Sequence, residues 1–373
     1  MEDIRWYALR DPSQVDSPAL LIYPDRIRQN IAEMIRIAGS PERLVPHVKT
    51  HKMSRVVQLQ LDAGIRRFKC ATIAEAEMLA EAGATDVVVA YPLNPTKARR
   101  LLQLAARYPA VRFSSLVDSL EGARMIDELA AASGTRRDIY LDIDNGMHRT
   151  GLSAQEDIGA FYRQLDRFKH LHVRGFHVYD GHIHDRDFQE RKTRTERDFA
   201  PLDEAVRSLE ADGVPAPEII AGGTPTFAIH ALNPRVLCSP GTSLLWDAGY
   251  GEMLPEQSFV VAAVLLMRVI SKPGRGRITT DLGHKSVAAE NTIDKRIRIL
   301  DLQDYEVVSQ NEEHLVLHTG EKTWNALGPG DALYAVPYHI CPTVALYDEA
   351  VVVEDGTATD TWNIEARGKR IHL

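Results

Sequence analysis

Cysteine is scarce in this 373-residue chain. There are three, Cys70, Cys238 and Cys341, an odd number with no Cys-x-x-Cys pair. A disulfide scaffold is therefore excluded as the source of stability, and the expected location is the reducing cytoplasm. A surplus of positive charge is also missing. Lys and Arg number 44 against 52 Asp and Glu, a net charge of -8, which argues against nucleic acid or an anionic membrane as the main partner. No apolar run reaches a bilayer-spanning length; the longest, FVVAAVLLMRVI from Phe259, reads as a buried strand. The opening residues MEDIRWYALRDPSQ lack the apolar core of an export signal. Internal repeats and low-complexity linkers are absent too.

What the chain has is an alternating texture. From about Ser17 to about Asp247, short apolar runs alternate with stretches of helical spacing such as IAEAEMLAEAGA and TKARRLLQLAARY. The runs are ALLIY (19–23), LVPHV (44–48), RFKCA (67–71), DVVVAY (86–91), VRFSSLV (111–117), DIYLDID (138–144), VRGFHVY (173–179), EIIAG (218–222) and RVLCS (235–239). Such alternation implies parallel β/α units. Eight or so of them over ~230 residues suit a closed (β/α)8 TIM barrel better than an open doubly wound sheet. After about Pro255 the helical spacing fades, and Val/Ile/Leu/Thr runs are separated by turn signals such as KPGRGR, LGPGD and VEDGTAT. The expected organisation is a barrel over residues 17–250 and a smaller all-β domain over 251–373, to which residues 1–16 would add a strand.

Five segments carry chemistry. LVPHVKTHK ends an apolar run in ionisable groups. Strand alternation turns Val48 toward the surrounding helices and His47, Lys49 and His51 toward the barrel axis. Burial lowers an amine's pKa and suits Lys49 to imine formation. Solvation at a strand end is the commoner fate of a lysine, and Lys52 is assigned it. In YLDIDNGMHRTGL, Asp142 and Asp144 share the inward face and need partners; Arg149 is one candidate, and a purely structural ion pair is the equal alternative. In RGFHVYDGHIHD, His177 and Tyr179 point inward. His182 and His184 follow in the loop at the carboxyl end, where barrels place their sites. IIAGGTPTF sets Gly222, Gly223 and Thr224 after a late strand, and SPGTS repeats the pattern with Gly241 and Thr242. Two such turns in succession present backbone N–H groups to a phosphate. In VPYHICPTVALYD, His339 and Cys341 are two apart and on a strand would share a face, a soft pair suited to zinc. Spacing alone, however, favours a small core cysteine and a buried histidine.

An early barrel lysine, a late phosphate cradle and a C-terminal β domain make the chain resemble the D-threonine aldolase and D-serine dehydratase family of alanine-racemase-like pyridoxal 5'-phosphate (PLP) enzymes. The matching pieces span nearly the whole sequence: DSPALLIYPDRIRQNI, PHVKTHK, CATIAEAEML, AGGTPT, DLGHKS, HICPTVALYD and VVVEDGTATDTWNIEARG. The resemblance implies Lys49 as the Schiff-base lysine, Arg149 at the pyridine nitrogen, and His47 and Tyr179 beside the cofactor. It implies Gly222, Gly223, Thr224, Gly241 and Thr242 as the phosphate cradle, and His339 and Cys341 as ligands of a divalent metal, Zn or Mn. It also implies a homodimer with a shared active site. The hydroxyl-activating histidine falls at His182 or His184.

The implied chemistry divides in two. Removal of the hydroxyl proton gives retro-aldol cleavage of a D-3-hydroxy amino acid such as D-threonine to glycine and an aldehyde. Removal of the Cα proton by Lys49, with loss of the hydroxyl, gives a 2-oxo acid and ammonia. PTVALYD and the C-terminal tail resemble the aldolases, whereas His-x-Cys in place of the aldolases' His-x-Asp resembles the dehydratases. The longer match favours the aldolase reading. A metal-independent racemase, a non-catalytic PLP carrier, which normally lacks the β domain, and a metal- or ligand-binding barrel without PLP are the remaining alternatives.

Overall fold

The structure, a computed structural model, describes residues 5–372. They form two compact units. One holds residues 32–49, 57–241 and 368–372, the other residues 5–31, 50–56 and 242–367.

The first unit is the barrel. β1 (Ala19–Ile22) belongs to the second unit; the strands of the first are β2 (Arg67–Cys70), β3 (Asp86–Pro92), β4 (Arg112–Val117), β5 (Arg137–Asp144), β6 (Leu152–Ser153), β7 (Leu171–Val178), β8 (Glu218–Ala221) and β9 (Val236–Cys238). β2, β3, β4, β5, β7, β8 and β9 pair in that order, all parallel, with β6 a short addition to β5. Residues 44–47 fill the eighth position: Leu44 bridges Cys238 and His47 bridges Lys69. Val45 N–H donates to Cys238 O at 2.8 Å, and Pro46 O accepts from Lys69 N–H at 2.9 Å. The expected strand LVPHV is therefore a bridging segment. Pro46 has no N–H to donate, so a full ladder is impossible there.

The first eight helices are α1 (Pro24–Ala38), α2 (Ser54–Asp62), α3 (Ile73–Ala82), α4 (Pro95–Arg107), α5 (Leu120–Ala132), α6 (Ile158–Gln164), α7 (Phe188–Ala211) and α8 (Phe227–His230). Their starts are written in the sequence. Thr72, Asn94, Ser119, Asp157 and Asp187 each accept a backbone N–H as N-caps of α3 to α7.

Inward side chains form layers, as in a filled barrel. At the amino-terminal floor, Arg174 donates to both Asp86 oxygens at 2.9 and 2.7 Å, and Arg67 reaches Glu218 at 2.6 Å. Next come Val45, Val88, Leu116, Tyr140 and Ile220 as one apolar cluster. Lys69 lies in register with Val88, and Asp142 two residues beyond Tyr140. On β7 the inward residues Arg174 and His177 are three apart, because the register slips between Val173 and Gly175. Gly175 (φ +156°) permits that bulge: a Cβ there would stand 2.0 Å from Glu218 O.

The second unit is a nine-stranded sheet of β1 with β10 (Ala263–Gly274), β11 (Arg277–Thr280), β12 (Ile297–Ile299), β13 (Tyr305–Gln310), β14 (Leu315–Thr319), β15 (Ala332–Pro337), β16 (Glu349–Glu354) and β17 (Thr357–Asn363). Here the structure corrects two expectations. ALLIY is no barrel strand: β1 runs antiparallel to β10 and parallel to β16. All four of its residues are buried, and a run buried on both faces reads alike in either sheet. Residues 5–10 form no strand. Tyr7 and Leu9 instead join the core of this sheet with Leu21, Leu266 and Tyr334, and Leu9 N–H donates to Tyr334 Oη at 3.1 Å. Residues 1–4 of that expected strand lie outside the described residues. Helices α9 (Ala248–Met253), α10 (Glu321–Ala326) and α11 (Ile340–Val344) complete the unit. Among the described residues no helix is long and apolar enough to cross a membrane.

Candidate active site

At the carboxyl end of the barrel, three basic side chains converge on one aromatic ring. Lys49 Nζ lies 5.4 Å, Lys69 Nζ 5.6 Å and Arg149 Cζ 5.0 Å from the centroid of Tyr179. Cations over a tyrosine face are attracted by its quadrupole, but three together repel one another. Lys49 does not sit on a strand. It lies in the single turn Val48–Thr50, and its N–H donates to Nδ1 of the buried His47 at 3.3 Å. His51, expected inward, belongs to the other unit. It is fully buried, and burial, aided by Lys52, pushes its pKa down to about 3.

Lys69 was not singled out by sequence reasoning. The signal was present: in RFKC, Arg67 and Lys69 share one face and Phe68 and Cys70 the other. Lys69 is 2 % exposed, and burial, then the charge of Lys49, pushes its amine down to about 7. The two aspartates separate in role. Asp142 pairs with His177 (2.7 Å) and Thr150 (2.9 Å) instead of Arg149. Asp144 turns to its own loop and accepts from the N–H groups of Gly146 and His148 at 3.0 and 2.9 Å.

The glycine turn after β8 is braced from behind. Thr226 Oγ1 accepts from Gly223 N–H at 3.3 Å and donates to Asp180 Oδ1 at 2.7 Å. Gly222 (φ +82°) lies so close to His230 that a Cβ would meet its ring at 2.7 Å. Gly241 N–H reaches Thr224 Oγ1 at 3.3 Å. Thr242 takes a different direction, its hydroxyl 3.3 Å from Cys341 Sγ.

The two loop histidines differ. His184 is exposed. His182 is half-buried, its Nε2 3.8 Å from Asp198 Oδ2 and its Nδ1 buried without a hydrogen-bond partner. Burial, with Arg194, holds its pKa below the usual histidine value. Asn145, also buried, leaves both amide atoms unpartnered. The adjoining Gly146 packs on His182, 2.7 Å from a would-be Cβ to Nε2.

His339 and Cys341 lie in the second unit, and not on a strand. His339 is the N-cap of α11 with extended backbone (φ -135°, ψ 101°), and Cys341 is in its first turn. Helical residues two apart diverge; the extended cap leaves these two near enough to interact electrostatically, and His339 Nδ1 pairs with Glu290 Oε1 at 2.6 Å. Asp247 Oδ2 accepts from Ile340 N–H at 3.0 Å and fixes the turn. Thr50 Oγ1 lies 3.2 Å from Cys341 Sγ. Burial opposes the thiolate, yet His339 and the two threonine hydroxyls hold Cys341 below the usual thiol pKa.

Residues 22–248 match the model of the alanine racemase N-terminal domain, and residues 262–353 match a putative serine dehydratase domain. The chain is 28% identical to a D-threonine aldolase of Arthrobacter sp, across 98% of both chains. It is 26% identical to the D-threo-3-hydroxyaspartate dehydratase of Delftia sp. (strain HT23), across 93% of this chain and 97% of the relative. Among solved structures, D-threonine aldolase from Filomicrobium marinum superposes with a TM-score of 0.86 at 26% identity, over 95% of this chain and 97% of that one. The dehydratase has been solved as a cysteine-to-alanine mutant in the metal-free form (TM-score 0.81, 25% identity, 94% of this chain and 97% of that one), and as a mutant of a histidine two positions before that cysteine.

Proposed function

We propose that this chain, which belongs to the alanine racemase N-terminal domain family, is a PLP- and divalent-metal-dependent lyase that cleaves D-3-hydroxy amino acids of the D-threonine type to glycine and an aldehyde. The observation that carries it is the convergence of Lys49, Lys69 and Arg149 on the Tyr179 ring.

The residues fit the cofactor. Three basic groups face two carboxylates, Asp142 and Asp180, that are already paired, so the pocket favours an anion. The backbone at Gly222 has no room for a side chain, and the long 3.3 Å bonds of Gly223 and Gly241 leave their N–H groups able to turn to a phosphate. They fit a metal as well: the thiol of Cys341 and the imidazole of His339 stabilise each other's charged forms, and N and S donors suit zinc.

When bound, PLP supplies an electron sink for bonds at the amino acid's Cα, and a metal supplies a Lewis acid for oxygen. Lys49 would hold the cofactor through its Nζ and carry protons there, and Arg149 would face the cofactor's ring nitrogen. Tyr179 offers its face to a planar ring. His182, neutral near pH 7 with an unpartnered Nδ1, takes the hydroxyl proton. In this reading the chain acts as a homodimer, checked by its mass in solution.

One observation favours a second reading, dehydration to a 2-oxo acid and ammonia. The His-x-Cys spacing of His339 and Cys341 matches that of the two mutated residues in the dehydratase structures. The test is incubation of the PLP- and zinc- or manganese-loaded protein with D-threonine. Glycine and acetaldehyde are expected; 2-oxobutyrate and ammonia overturn the aldolase reading in favour of the dehydratase.

A further inference from the structure

Lys69 is a buried amine, 2 % exposed, that the reading above leaves without a role. Its Nζ lies 3.4 Å from His177 Nε2, and His177 Nδ1 lies 2.7 Å from Asp142 Oδ1. Asp142 Oδ2 accepts from Thr150 at 2.9 Å. A carboxylate only accepts, so His177 Nδ1 carries the hydrogen and Nε2 offers a lone pair to Lys69. This relay fixes where the amine stands. The charged and titratable groups facing it are Lys49, Arg149 and Tyr179, with Asp142 on β5, His177 on β7 and Asp180 just after β7. Asp180 is taken up by His230 and Thr226. Positive charge is in excess around Lys69, and an anion at the Tyr179 ring would relieve it.

The order of strands decides which anion. Lys49 follows the closing segment 44–47, which lies between β9 and β2. The glycine turns at Gly222 and Gly241 follow β8 and β9, on one side of Lys49; Lys69, on β2, is on the other. In pyridoxal phosphate the carbon that joins the lysine is flanked by the phosphate arm on one side and the phenol oxygen on the other. With the phosphate toward β8 and β9, the phenol oxygen faces β2.

We propose that Lys69, positioned by His177 and Asp142, donates a hydrogen bond to the phenolate oxygen of the bound cofactor. The proposal rests on the PLP reading above. The experiment is a pH titration of the visible band of the Lys49-linked cofactor, in the PLP-loaded wild type and in Lys69→Met, Lys69→Arg and His177→Gln. Circular dichroism serves as the check of folding.

A cation at the phenolate opposes the positive charge on the neighbouring lysine-linked nitrogen. Lys69→Met should therefore raise the titration midpoint by about one pH unit or more and weaken PLP binding about tenfold. Lys69→Arg should stay near the wild type, and His177→Gln should shift in the same direction by less. An unchanged midpoint in folded Lys69→Met overturns the proposal; if that variant does not fold, an unchanged midpoint in His177→Gln does so. A wild type that develops no visible band with PLP, or a band that survives Lys49→Ala, overturns the underlying reading and this one with it.

Discussion

His230 Nε2 lies 2.7 Å from Asp180 Oδ2, and both side chains are buried behind the glycine turn that follows β8. The pair couples a candidate phosphate loop to the residue next to Tyr179. Replacing one member of a buried hydrogen-bonded pair leaves the other unsatisfied, which typically costs about 1–3 kcal/mol. Asp180→Asn, which keeps an acceptor for Thr226, should lower stability at pH 7 toward the small end of that range and weaken PLP binding. Burial works against the ionised form of Asp180, but His230 and Thr226 hold its pKa below 3.8. Its contribution is therefore present above pH 3.8 and lost as pH falls through the folded value. Urea unfolding at pH 7 and pH 3 should show the wild type and Asp180→Asn drawing together in acid; a constant difference would contradict this account.

A second acid-sensitive group is His51. Its folded pKa of about 3 lies below the ordinary 6.5, because burial excludes the charged ring. The unfolded chain takes a proton below pH 6.5 and the folded one does not until about pH 3. Stability should thus fall steadily across that window, by up to about 4 kcal/mol from this residue. His51→Gln should flatten the slope of unfolding free energy against pH between those limits. A variant with the wild-type slope would assign the acid lability to other groups.

The repeating texture carried much of this architecture in plain view. Alternation in RGFHVY placed His177 and Tyr179 inside, and both are there. Where side-chain periodicity was absent, so was the information. β1 is buried on every residue, so nothing in ALLIY distinguishes a barrel strand from one in the other sheet. His339 and Cys341 meet through the backbone angles of an N-cap, which spacing alone does not encode. Gly175 hides a bulge that brings Arg174 inward beside Asp86; a glycine in a strand hints at one without giving its phase. Asp180 and Asp247 bind partners 46 to 93 residues away in the chain, and no local pattern announces those contacts.

The lysine at position 69 makes a stability prediction independent of any ligand. Its folded pKa of about 7 lies below the ordinary 10.5. Between those values the unfolded chain binds a proton that the folded chain does not, so stability rises with pH across the window. The penalty is complete below pH 7. In the PLP-free protein, Lys69→Met should therefore raise the melting temperature at pH 7, by a gain on the order of a few kcal/mol. The advantage should vanish above about pH 10.5. A destabilised variant would mean that the His177 hydrogen bond outweighs the desolvation of the amine.

Metal content should follow the thiol. Cys341 Sγ is held between Thr50 and Thr242 at 3.2 and 3.3 Å, and His339 lowers its pKa. Cys341→Ala removes one of two soft donors, and should lower zinc retained after dialysis by tenfold or more. The fold, measured by circular dichroism, should persist. Full zinc occupancy in that variant would place the metal elsewhere.

His182 and His184 offer a direct comparison two residues apart. His182 is half-buried, near Asp198, with a buried Nδ1 that no group among the described residues satisfies; His184 is exposed. A general base contributes typically about 10²–10⁴ in rate, and a neutral ring near pH 7 is what base catalysis needs. With D-threonine, His182→Ala should lower kcat by about a hundredfold or more, while His184→Ala stays within about twofold, as expected of a solvated side chain. Because burial and Arg194 hold the His182 pKa below 6.5, wild-type activity should be retained as pH falls to 6.5 and decline only below it. The reverse ranking of the two variants would move the base to His184, and a kcat that drops already above pH 7 would exclude His182 as the base.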